Sequence, residues 1–292
     1  MELPELWPVR HFLLLESGRV RIALERKDID TAWKCYRRLI NAKAPLRKDP
    51  NLFSVLVWNF AGNAQLDCIE RMLESKLLSN AHLAQLRTDL AELARAVPEL
   101  HRSALYHEAV VSSDLLLGLE TGRGEGCTIA FAPYRWFFPM VWYLAEKEKA
   151  RILAAFRQPD FVAVSAALPK LCLLNFMWIH ELSRAGWNFH DLTARTLGMQ
   201  VLLRAEAYRR THGSFPAEMS ELPVDPYTKK PLIYRVGEAE IPESFGAEVR
   251  ENYYSIATST VSVKAVTVRS PREPEYLPWQ DRDRTLAKLC LP

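Results

Sequence analysis

The stretch at residues 190–236, HDLTARTLGMQVLLRAEAYRRTHGSFPAEMSELPVDPYTKKPLIYRV, constrains the fold more than any other part of the chain. Its local chemistry dictates a change from helix to strand. Asp191 is suited to cap a helix whose apolar side carries Leu192, Leu197, Val201, Leu202, Ala205 and Tyr208, with Arg195, Arg204, Arg209 and Arg210 between them. Gly213 fits the left-handed residue that ends such a helix. Phe215-Pro216 stiffens the exit, residues 217–222 are expected to form a short helix, and Asp225-Pro226 sets a turn with proline at its favourable second position. Residues 232–236 then open a β portion, continued by 253–257 and 261–268, whose alternation and β-branched content suit antiparallel strands.

Before this stretch the chain reads as helical. Residues 28–40 place Ile29, Ala32, Trp33, Tyr36, Leu39 and Ile40 on one face and Lys34, Arg37 and Arg38 on the other, and the residues around 20–25 supply a partner helix across a short Lys27-Asp28 break. No second copy of this hairpin follows at the 34-residue period of tetratricopeptide units, so a repeat array is not expected. Leu52, Val55, Leu56 and Phe60 recur at helical spacing, and Leu66, Ile69, Met72 and Leu73 resume it after a break expected at Gly62-Asn63. Ser79-Asn80 then caps a helix with a Leu83, Leu86, Leu90 and Leu93 stripe that Pro98 should end. The fold class is therefore mainly α, a multi-helical array followed by a helix and short antiparallel strands in a small C-terminal α+β part.

Composition excludes several function classes. With 38 basic and 35 acidic residues the net charge of +3 leaves no nucleic-acid footprint. The five cysteines, Cys35, Cys68, Cys127, Cys172 and Cys290, form no CxxC pair and are odd in number, which fits buried thiols better than a zinc site or a disulfide framework. Neither residues 127–145 nor 161–179 offers an uninterrupted apolar run of about 20 residues, because prolines and charges break both, so no transmembrane helix is expected. The first residues carry acids where a signal peptide needs bases, and no signal peptide is read there.

The sequence supports no catalytic residue, metal site or cofactor by motif. GRGEG at 122–126 lacks the Lys-Ser/Thr of a phosphate loop, and His180-Glu181 fails as HExxH because Arg184 stands where the second histidine is required. No GxSxG elbow occurs. His101, His107 and Glu108 share a helical segment without an i,i+4 ligand pair. Seven aromatic residues lie between Phe131 and Tyr143. Among them Tyr134, Trp136 and Trp142, with Arg135, are the candidate binding residues, as a ligand or protein groove, against the alternative of packed core.

The series AYRRTHGSFPAEMSEL, PVDPYTKKPLIYR and YYSIA resembles the C-terminal segment of uncharacterised bacterial cell-envelope proteins, and more distantly the globular part of the major pseudopilins of type II secretion. The motif positions are Tyr208, Arg209, Gly213, Phe215, Pro216, Leu222, Asp225, Pro226, Pro231, Tyr234, Tyr254 and Ser255, all structural in character. The resemblance spans roughly residues 191–257 and implies a compartment, the cell envelope or periplasm, without implying a reaction. Thr258-Ser259-Thr260-Val261-Ser262 replaces the Gly/Asp-rich calcium loop of the pseudopilins, and no filament-forming apolar helix is present, so neither calcium nor pilus assembly is implied.

The expected organisation is a helical domain at 1–189, a pseudopilin-like α+β module at 190–269 and a strap at 270–292 with a short helix at 282–289. The expected function is that of a non-enzymatic helical envelope protein acting through protein or ligand contacts, its partner another envelope protein. Two alternatives stand beside it: a hydrolase assembled from His107, Glu108, His180 and His190, and a cytosolic helical scaffold.

Overall fold

The computed structural model describes residues 6–49, 51–121, 154–158, 163–164, 167, 179–226, 228–242, 260–269 and 285–290. Among these, helices α1 (Leu6–Glu25), α2 (Ile29–Lys43), α3 (Leu52–Glu74), α4 (Asn80–Thr121) and α5 (Ile179–His212) precede strands β1 (Ile233–Pro242), β2 (Thr260–Arg269) and β3 (Thr285–Cys290). The chain is mainly α with a small C-terminal α+β part, as the periodicity predicts. No helix among the described residues is long and apolar enough to cross a membrane.

Short polar side chains set the helix starts. Asp28 Oδ1 accepts the Thr31 N–H at 3.0 Å and opens α2. The Thr31 side chain, and after it this N–H, hold the Asp28 carboxyl below the usual carboxylate range. Asn51 Oδ1 accepts the Ser54 N–H at 2.8 Å ahead of α3, and Ser79 Oγ accepts the His82 N–H at 3.2 Å at the start of α4. The turn between α1 and α2 needs a left-handed residue, supplied by Lys27 at φ 59°.

Several boundaries differ from expectation. Helix α3 runs through Gly62, where the Leu192 side chain packs directly on the glycine: a Cβ there would stand 2.8 Å from a Leu192 methyl, so a larger residue would require that side chain to shift. Helix α4 continues past Pro98. The ring removes one hydrogen bond and clashes with the carbonyl four residues back, but Pro98 is exposed while Ala96, Val97, Leu100, Ala104 and Leu105 are buried around it, and their burial carries the helix across. Pro98→Ala is therefore expected to raise unfolding free energy by about 1–3 kcal/mol, read as a higher urea midpoint at unchanged m-value. An unchanged midpoint would mean that the helix is already relieved of the proline's cost.

Asp191 lies inside α5, which begins twelve residues earlier at Ile179, so it does not cap that helix. Residues 217–222 form no helix; Arg204 instead donates to the Ser220 and Glu221 carbonyls at 2.9 and 3.4 Å and holds the segment irregular. The short helix expected at 282–289 is replaced by β3, because pairing with the edge of β2 satisfies backbone groups that so short a helix would leave open.

The sheet order is β1-β2-β3, antiparallel throughout. Register runs from Ile233↔Arg269 to Pro242↔Thr260 in the first pair and from Ala265↔Cys290 in the second, with an irregularity at Val268/Arg269. The central strand carries the buried residues Ala265, Val266, Thr267 and Val268.

The chain divides into two compact units, Met1–His11 with Ile40–Ala61 and Arg95–Asp191, and Phe12–Leu39 with Gly62–Ala94 and Leu192–Pro292. The first buries Leu52, Val55, Trp58, Leu100 and Phe189; the second buries Leu13, Tyr36, Leu66, Ile69, Met72, Leu86, Leu90 and Leu202.

Candidate functional site

The aromatic candidates Tyr134, Arg135, Trp136 and Trp142 lie outside the described residues, as do the GRGEG turn and the strand expected at 253–257. The motif residues after α5 are placed. Gly213 has φ 81° and its N–H reaches the Arg209 carbonyl at 2.8 Å, closing the helix. Arg209 lies over the Phe215 ring at 5.6 Å, and the Tyr234 hydroxyl donates to the Pro216 carbonyl at 3.0 Å. Burial pushes the Tyr234 phenol up to about 12, so it remains a donor throughout the physiological range. Asp225 is fully buried, takes the Thr228 hydroxyl at 3.3 Å, and closes its turn by main-chain bonds with Lys229 and Lys230; Val224 and Pro231 form a bridge beside it. Tyr208 stacks on His212 at 3.9 Å. Each of these contacts fixes a backbone path.

In the first unit the titratable candidates fall into two sets of contacts. His101 on α4 stacks flat on Phe189 of α5 at 4.5 Å, with His190 edge-on to it at 6.4 Å. His107 and Glu108 belong instead to the start of α3. The buried Glu108 carboxylate accepts the Leu52 N–H at 3.3 Å, one of the donors a helix start leaves open, from 56 residues away. His107 Nδ1 is buried, lacks a hydrogen-bond partner and lies 3.7 Å from Glu108 Oε1. Nearby Asp49 takes the Ser54 hydroxyl at 2.7 Å and an Asn51 N–H at 3.3 Å. Burial works to raise the Asp49 carboxyl, but these donors outweigh it and hold it low. His180 is placed on α5 by the backbone alone.

Burial dominates at Glu108 and lifts its carboxyl above the usual range, opposed by the Leu52 N–H and by His107. A raised carboxyl beside an imidazole has the chemistry of a general acid, but here it also has a structural task, capping α3. The sign of its pH effect follows. Between the ordinary and the raised carboxyl range the folded state binds more protons than the unfolded, so stability falls as pH rises through that window. Glu108→Gln is expected to flatten this slope in the window just above the ordinary carboxyl range, checked by urea midpoints at a series of pH values across it. A slope equal to the parent's would remove Glu108 as its source.

The second unit holds polar clusters that periodicity does not reveal. Asp89 of α4 takes the Tyr36 hydroxyl at 3.0 Å, Arg37 Nη1 at 3.0 and 3.1 Å and Gln85 at 3.0 Å, and Gln65 donates to the Tyr36 oxygen at 3.3 Å. Burial and the Asp89 charge push the Tyr36 phenol well up. Glu16 of α1 is fully buried between Arg19 at 2.6 Å and Arg38 at 3.0 Å. Arg195 spans Asn63 and Asp67 at 2.6 and 2.7 Å. Glu206 takes Arg209 and Arg210, whose donated bonds overcome the upward push of burial and hold it low. The sequence signal for these clusters was present but ambiguous: a Glu, Asp or Tyr within an otherwise apolar helical stripe.

Cys35 and Cys68 are buried, as expected of small apolar side chains, and burial pushes the Cys68 thiol up to about 12, which leaves it without thiolate character at neutral pH. No group of three or more His, Cys, Asp or Glu that could hold a metal ion occurs among the described residues. Comparison with known proteins finds no matching family model, no matching curated protein and no matching solved structure.

Proposed function

We propose that the chain is a helical protein of the bacterial cell envelope that works by protein or ligand contact rather than by catalysis, and that residues 191–257 are a module related to the pseudopilin globular part. The observation that carries this reading is the use made of the motif residues. Gly213, Phe215, Pro216, Asp225 and Tyr234 shape one helix-to-strand joint through φ, ring packing and two hydrogen bonds to oxygen. The same economy holds at Asp89, Glu16 and Glu206, whose carboxylates are engaged by neighbouring side chains and help fix the packing of helices.

The test is fractionation of cells producing the full chain, followed by cross-linking and affinity capture from the envelope fraction. Enrichment in that fraction with a reproducible envelope partner supports the reading. A purely cytosolic chain without a stable partner overturns it in favour of the cytosolic scaffold. The hydrolase alternative, drawn from His107, Glu108, His180 and His190, is tested at the adjacent pair His107 and Glu108. Hydrolytic turnover by the parent that is abolished in Glu108→Gln, with the fold retained, would establish it.

A further inference from the structure

We draw no further inference here: the strongest candidate, the His107–Glu108 side-chain pair of α4 packed against the start of α3, belongs to the site already described, its buried carboxylate being engaged in capping Leu52.

Discussion

Replacing Asp89 by alanine is expected to lower the unfolding free energy by about 3–5 kcal/mol, among the largest effects of any single polar substitution in the chain. The carboxylate is buried and answers the Tyr36 hydroxyl, two contacts from Arg37 Nη1 and the Gln85 amide. Its removal strands a buried hydroxyl donor and opens a void between α2 and α4. Arg37 is partly exposed and can turn to water, so the loss concentrates on Tyr36. Tyr36→Phe, which deletes the donor as well, should then cost only about 1–2 kcal/mol. A double-mutant cycle by urea denaturation would show coupling between the two sites. Additivity within the error of the measurement would mean that the bond contributes nothing.

The second large effect is asymmetric. Glu16 is completely buried, whereas the side chains of its partners Arg19 and Arg38 are 57% and 53% exposed. Removing both arginines leaves a buried carboxylate without counter-charge, so Arg19→Ala with Arg38→Ala is expected to lower the urea midpoint clearly and by more than Glu16→Leu does. Removing the carboxylate instead frees two arginines that already reach solvent. Glu16→Leu, of similar volume, should therefore be close to neutral or stabilising. Thermal and urea unfolding of the two variants side by side decides the matter, and equal destabilisation by both would show that the cluster matters for its shape rather than its charge.

The helical class was legible because Leu83, Leu86, Leu90 and Leu93, and equally Leu66, Ile69, Met72 and Leu73, repeat at helical spacing and are all buried. The joint at Gly213 to Tyr234 was legible for a different reason: glycine, proline and Asp-Pro act on their own backbone, so their consequence is local. The misplaced boundaries share one cause. Gly62 and Pro98 are helix breakers on their own, but at Gly62 a Leu192 methyl occupies the space a Cβ would need, and at Pro98 buried neighbours on both sides sustain the helix. Propensity is a matter of about 1–3 kcal/mol, and tertiary burial exceeds it. The strand at Thr285–Cys290 was hidden in the same way, since a six-residue segment takes the conformation that its neighbour's open edge rewards.

Among candidate site residues, the sequence identified which groups could titrate and left open which of them meet. His101 joined Phe189 and His190, while His107 and Glu108 joined the start of α3, because those partners come from helices far apart along the chain. The residues alone therefore determined the helical class, the helix-to-strand joint and the absence of any contiguous catalytic motif, all of which are set by neighbours within a few positions. The tertiary fold decided where the helices run on and which carboxylates are buried and answered. Burial and charge pairing depend on side chains brought together from 20 to more than 100 positions away, as Arg38 with Glu16 and Arg195 with Asn63 illustrate.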